Sequence, residues 1–215
     1  MRLRDDFTQR AVVRPGEAPW VASPMAGVDR MMLDRIGDEV ARATSIVRYA
    51  PHSHFAPHVH GGGEEFLVLE GEFADESGRY PAGFYVRNPI ASRHAPFTDT
   101  GCTIFVKLWQ FDTGDRAHVA IDTRAAPWEA GDVGVATLPL HRFGSERVWL
   151  ERWAEGTRVP AHEHARGEEM LVLEGSFEDE DGGYPAGTWI RNPPGSRHAP
   201  FTAAGCLVYV KAGHL

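Results

Sequence analysis

A fifty-residue stretch of this chain occurs twice, and the two copies align at a constant offset with no gap. Residues 58–107 match residues 162–211 at 32 of 50 positions, always 104 apart. The first copy opens His58-Val-His60-Gly-Gly-Gly63-Glu64-Glu65 and runs through Phe66-Leu-Val-Leu69-Glu-Gly71 to His94. The second opens His162-Glu-His164-Ala-Arg-Gly167-Glu168-Glu169 and runs through Leu171-Val-Leu173-Glu-Gly175 to His198. A period this long exceeds any solenoid unit, so the chain is a duplicated domain rather than a repeat array. Its 215 residues suit two domains of about 100 residues each. Residues 112–130 are polar and rich in small residues, which places the division at 112/113 and gives domains 1–112 and 113–215.

Within each copy, turn signals recur every few residues: Gly61-Gly-Gly63, Gly71, Ser77-Gly78, Pro81-Ala-Gly83, Asn88-Pro89 and Gly101. Between them lie short apolar runs, Phe66–Leu69, Phe84–Val86 and Thr103–Val106, and no stretch sustains a helical period. Many short strands at such spacing predict an all-β sandwich or barrel. Arg42–Tyr49 and Arg147–Trp153 read as equivalent strands, and Met31-Met32-Leu33 as a further strand of the first barrel. Pro127-Trp128 echoes Pro19-Trp20 at a shifted offset, so the second copy is expected to begin with its own lead-in strands.

The formal charge of −8 argues against a nucleic-acid partner, which calls for a basic stripe. The N-terminal Met-Arg-Leu-Arg-Asp-Asp carries no apolar core of a leader, and no run approaches the length of a membrane span. The expectation is a cytoplasmic protein that engages no membrane. Cys102 and Cys206 occupy matching places and are expected to pack as small hydrophobes on strands.

The histidines point to metal chemistry. His-x-His on a strand projects both rings to one face, because side chains alternate with period two. Glu64 follows a turn's length later, and His94 comes from a later strand. Neutral imidazoles and a carboxylate converging from several strands suit a divalent transition metal. The expected ligands are His58, His60, Glu64 and His94 in the first copy, and His162, His164, Glu168 and His198 in the second. Glu65 and Glu169 fall on the opposite face and are expected to be structural or surface groups. Arg87 and Arg191 are read as outward strand arginines in surface ion pairs, the alternative being groups that orient a ligand above the metal. His52 and His54 are read as surface loop residues, His118, His141 and His214 as incidental, and Tyr80 and Tyr184 as turn and core residues. Phe97 and Phe201 are expected to cap the barrels or wall a ligand pocket.

At these residues the chain resembles the cupin superfamily. Gly156, His162, His164, Glu168 and Gly175 fill the first cupin motif throughout; Gly187, Pro193, Gly195 and His198 fill the second, with Thr202 where asparagine is usual. The first copy departs at His52, Ala91 and Thr98 but keeps its ligand set. The wording around the ligands, Gly-Glu-Glu-x-Leu-Val-Leu-Glu-Gly, Tyr-Pro-Ala-Gly, Arg-Asn-Pro and Ser-Arg-His-Ala-Pro-Phe, is similar to the ChrR-type cupin. The resemblance implies a bicupin: two double-stranded β-helix (jelly-roll) barrels in tandem, one divalent metal per barrel. Zinc is the first expectation, with iron, nickel or manganese as alternatives.

ChrR-type cupins include the zinc-binding C-terminal domain of certain anti-sigma factors and iron-dependent dioxygenases of small diketones and hydroxyacetophenones. The anti-sigma factors also carry an N-terminal His-x-x-x-Cys-x-x-Cys domain, which this chain lacks. Two function classes follow. One is a regulatory or sensory metal module, with a small-molecule ligand above the metal and a regulatory protein partner. The other is a mononuclear iron dioxygenase, for which the sequence names no catalytic residue beyond the ligands. A homodimer is implied by resemblance alone.

Overall fold

The computed structural model describes residues 1–215. It is all antiparallel β, without a helix, so no helix is long and apolar enough to cross a membrane. The short apolar runs of the sequence lie inside longer strands, Glu64–Asp75, Phe84–Asn88 and Cys102–Leu108.

The chain forms two compact units, each a jelly-roll-like barrel of the bicupin fold. In the first, the main sheet runs Arg2–Leu3, Val28–Gly37, Ala41–Tyr49, Cys102–Leu108, Glu64–Asp75, Phe84–Asn88, Val119–Asp122. In the second it runs Glu129–Ala130, Val135–Phe143, Glu146–Trp153, Cys206–Ala212, Glu168–Asp179, Trp189–Asn192, Ala11–Val13. A small ladder completes each barrel: His58–Val59 with Arg93–His94, and His162–His164 with Ser196–His198.

Phe66, Val68, Phe73, Val86, Ile104 and Val106 fill the first core; Met170, Val172, Phe177, Ile190, Val208 and Val210 fill the second. These alternate along their strands with residues of the opposite face, and that face is buried too, at Leu67, Tyr85 and Phe105 in the first unit and Leu171, Trp189 and Tyr209 in the second. Matching bulges fall between Thr103 and Ile104 and between Val172 and Glu174. Gly71 and Gly175, both at positive φ, leave no room for a side chain against the backbone of Gly101 and Gly205, so glycine is required at both turns.

The compact units divide differently from the sequence repeat. The first comprises Met1–Asp5 and Ala18–Ala126; the second comprises Asp6–Glu17 and Pro127–Leu215. Residues 113–126 supply the strand Val119–Asp122, which pairs with Phe84–Asn88. Residues 6–17 supply Ala11–Val13, which pairs with Trp189–Asn192. The Pro-Trp echo has a structural counterpart: Arg48 lies over the Trp20 ring and Arg152 over Trp128, each at 4.4 Å.

These added segments reach Arg87 through Asp115 and Arg191 through Asp6 and Phe7, so the expectation of surface arginines is corrected, while Glu65 and Glu169 are buried structural groups. Arg87 is 0% exposed and Arg191 1%. Arg87 pairs across the strands with Glu65 and donates to Asp115 at 2.6 Å, with Phe111 stacked 4.0 Å away. Arg191 lies 4.1 Å from the Phe7 ring and donates to the Asp6 carbonyl. Glu169 accepts from Trp189 Nε1 and contacts His214 Nε2, so His214 is not incidental. Alternation told which face these residues occupy, not what covers it. They sit on the face opposite Glu64 and Glu168, so neither arginine reaches above a metal. Lys107 and Lys211 are also buried, against Thr44 and Glu146 respectively.

Candidate metal centres

In the first barrel, register places His58 directly opposite His94, and the His-x-His spacing returns His60 to the same face. The three rings meet edge to face with centroids 4.6–5.1 Å apart. One nitrogen from each of these histidines lies within 4.8 Å of the others, a grouping that could hold a metal ion. Glu64, first residue of its strand, brings Oε2 to 3.7 Å from Nε2 of both His60 and His94. The second barrel repeats this with His162, His164 and His198. His198 Nε2 is 3.1 Å from His164 Nε2 and 3.2 Å from His162 Nε2. Glu168 Oε2 lies 3.3 Å from His164 and 4.0 Å from His198. Each barrel therefore brings all four of its sequence-predicted ligands together.

In four of the six histidines the ring nitrogen turned away from the cluster faces an acceptor, which leaves the inward nitrogen of those rings free to carry a lone pair. His58 Nδ1 faces the Ala56 carbonyl at 3.2 Å and His162 Nδ1 that of Pro160 at 2.9 Å. His94 Nδ1 meets Asp75 Oδ2 at 3.0 Å, and His198 Nδ1 meets Asp179 Oδ2 at 3.4 Å. Such outer partners fix the tautomer of metal-binding imidazoles. Two ligands of one ion at bond lengths of 2.0–2.1 Å stand about 3.3 Å apart in a tetrahedron, close to the spacing in the second barrel. In the first barrel, His60 Nε2 and His94 Nε2 are buried with no hydrogen-bond partner. Buried polar atoms are rarely left so. A cation between the rings would satisfy them, and the donor set fits one.

Burial dominates the electrostatics. It lowers His60, and it lowers His164 to about 4, with His198 and His162 adding to the effect. Burial raises Glu168 to about 8, reinforced by Glu151 and opposed by the hydrogen bond from Asn192. His94 is raised: its desolvation is outweighed by the Asp75 hydrogen bond and the Glu64 charge. Asp75 and Asp179 are held low despite burial, by His94 and Ser77 in one case and by His198 and Tyr184 in the other.

Several supporting residues escaped the sequence reading. Asn88 and Asn192 donate to Glu64 and Glu168 at 3.1 and 3.4 Å. Tyr80 and Tyr184 donate to Asp75 and Asp179 at 3.3 and 2.6 Å, a role beyond turn and core. All six are identical at the 104-residue offset, and that was the available signal. Phe97 stacks with exposed His54 under Arg79, and Phe201 lies beneath Arg158.

The loop Gly61–Gly63, between two candidate ligands of the first barrel, lies against Trp109 and Phe111. A cavity of about 110 Å³ adjoins the second centre, lined by Arg10, His164, Asn192, Ser196 and His198 among others. A larger one of about 390 Å³, lined by Met25, Val28, Arg48 and Tyr49 among others, contains none of the expected metal ligands.

No curated protein matches the sequence. Among solved structures, a proposed dioxygenase from Nostoc punctiforme superposes with a TM-score of 0.78 at 17% identity, covering 100% of this chain and 83% of that one. YlbA of Escherichia coli gives 0.72 at 16% identity, with 96% and 92% covered. The E. coli pirin YhhW in complex with nickel(II) gives 0.67 at 14%, with 95% and 98% covered. At such identities these likenesses establish the fold. The ChrR cupin-like domain model matches residues 8–112 and again 116–215. The chain belongs to the ChrR cupin-like family, carrying that domain twice.

Proposed function

We propose that each barrel binds one divalent metal ion, zinc first, through three histidines and one glutamate, and that the pair acts as a regulatory or sensory metal module. The ligands are His58, His60, Glu64 and His94 in one barrel, and His162, His164, Glu168 and His198 in the other. The observation that carries this reading is the convergence of three imidazole rings and a carboxylate. The cavity at the second centre, about 110 Å³, admits only a small ligand, since pockets for drug-sized molecules usually span about 300–1,000 Å³.

The ion would supply Lewis acidity and ligand bonds that tie separate strands together. The protein's own residues do the rest. Asp75 and Asp179 hold the ring nitrogens of His94 and His198, while Asn88 and Asn192 orient the glutamates. Without the ion, His60 and His94 leave buried nitrogens unsatisfied, and the two-residue ladder His58–Val59 with Arg93–His94 loosens. That loosening would present a changed surface to a cytoplasmic protein partner, and a small oxidised metabolite reaching the metal would act in the same way.

A second reading, a mononuclear iron dioxygenase of small diketone-type or hydroxyacetophenone-type substrates, draws support from the cavity opening onto His164 and His198. Metal content of anaerobically purified protein, followed by oxygen uptake with iron(II) and small β-diketones, separates the two. Two tightly held zinc ions per chain and no uptake are expected. Substrate-dependent oxygen consumption would make it an enzyme, and absence of metal from both barrels would sink both readings.

A further inference from the structure

The second centre has a supporting residue that the 104-residue repeat does not supply. Arg10 lies in Asp6–Glu17, the segment that packs with the second unit. Its Nη2 donates to Asp179 Oδ2 at 2.8 Å, the same oxygen that meets His198 Nδ1. Its Nε donates to Asn192 Oδ1 at 2.9 Å. That bond turns the Asn192 amide so that Nδ2 faces Glu168. Nη2 also reaches the Tyr184 hydroxyl at 2.8 Å, and Nη1 pairs with Asp181. One guanidinium thus grips the residues behind two of the four ligands, a fork geometry that an ammonium does not reproduce.

The first barrel is built otherwise. Ala11 pairs with Arg191 and Val119 with Arg87, so the residue before each strand marks the same place. Arg10 stands there in one barrel and the exposed His118 in the other. Asp75 is held by Tyr80 and the Ser77 amide, and Asn88 donates to Glu64 with no arginine behind them.

We infer that Arg10 is a positioning residue for the metal centre of the second barrel, fixing Asp179 and Asn192 and through them His198 and Glu168. The N-terminal segment is then part of the second centre and of no other. The inference rests on the metal-binding reading.

The test uses the full-length chain with cobalt(II) as probe, titrated against a chelator and followed by its visible absorption. In a His60→Ala background, which leaves the second centre, Arg10→Ala is expected to weaken cobalt binding by roughly 10- to 100-fold, as loss of outer partners commonly does, and to shift the absorption bands. Arg10→Lys keeps the charge and is expected to recover less than half of that loss on a logarithmic scale. In a His164→Ala background, which leaves the first centre, Arg10→Ala is expected to change nothing. Arg14→Ala is the control: Arg14 lies on the same segment, over the same Tyr184 ring at 5.6 Å.

Hydrogen exchange at Ala11–Val13 reports whether the segment stays docked. If Arg10→Ala releases it, Arg10→Lys with protected amides is the variant that decides. Unchanged affinity and bands in the docked Arg10 variants, or an equal loss in Arg14→Ala, would overturn the inference while the metal reading stands. A wild-type chain that binds no cobalt would overturn both.

Discussion

The two candidate metal centres share their four residue types and their Asp, Asn and Tyr supports, yet their surroundings differ. In the first barrel the inward nitrogens of His60 and His94 are buried without a hydrogen-bond partner, and the Asp75 hydrogen bond and Glu64 charge raise His94. In the second, the imidazole nitrogens sit at ligand spacing, Glu168 is pushed up to about 8, and His164 down to about 4. The first is covered at its loop by Trp109; the second adjoins a cavity and depends on Arg10. Duplication copied the ligands, while segments outside the aligned repeat set their environment. Equal ligand sets therefore do not predict equal metal affinities.

The largest expected effect comes from removing a ligand. His60→Ala and His164→Ala should each lower the metal content from two ions per chain to one, checked by elemental analysis of dialysed protein. A variant that loses both ions at once would show the centres to be coupled and would break the comparison.

A pH titration sharpens it. Glu168 has a folded value of about 8 against an ordinary value near 4.5, so the metal-free fold binds a proton that the unfolded chain has released. Its contribution is fully present below the ordinary value and is lost as pH rises through about 8, with a slope of up to roughly 1.4 kcal/mol per pH unit. His164, lowered to about 4, acts in the opposite sense: its contribution is present above about 6.5 and is lost as pH falls toward about 4. Between about pH 6.5 and 8, metal-free His60→Ala protein should lose stability in its second barrel as pH rises. Metal affinity there should rise by as much as about tenfold per unit, since the ion displaces the Glu168 proton. Chemical denaturation with and without metal checks both; a flat profile would count against a neutral Glu168.

A smaller effect is expected at the glycine loop. A methyl on Gly62 would intrude on the Trp109 indole, so Gly62→Ala should shift His60 relative to Glu64 and weaken the first centre several-fold, leaving the second unchanged. Adding Trp109→Ala should restore part of the loss. The smallest expected response concerns the thiols. Cys102 and Cys206 are buried and pushed up to about 12, so neither should react with a thiol reagent at pH 8 until denaturant is added.

The clustering of the candidate ligands was legible because a strand's period of two and a short turn fix their faces locally, and because the repeat presented each set twice. The barrel strands were legible from glycine- and proline-marked turns around short apolar runs. Arg87 and Arg191 were misread for one physical reason. Their faces are covered by residues 6–17 and 111–126, segments distant in sequence and outside the aligned repeat. Arg10 was invisible for the same reason, since nothing in its neighbourhood marks Asp179 as its partner. Asp75, Asn88 and Tyr80 did carry a signal, their identity across the copies, but identity alone does not separate a ligand's support from a turn residue.

The division of the chain into a split first unit and an interrupted second one bears on how it is made. The segment around Ala11–Val13 leaves the ribosome early, yet its partner strand Trp189–Asn192 follows some 180 residues later. At roughly 5–20 residues per second, that is a wait of about 9–36 seconds. The first barrel does not wait for it, since all its strands, through Val119–Asp122, come from Met1–Asp5 and Ala18–Ala126. Throughout the interval, the nascent protein presents an unpaired strand while its first domain is already complete, a natural point of engagement for chaperones and of mispairing between neighbouring chains on one message.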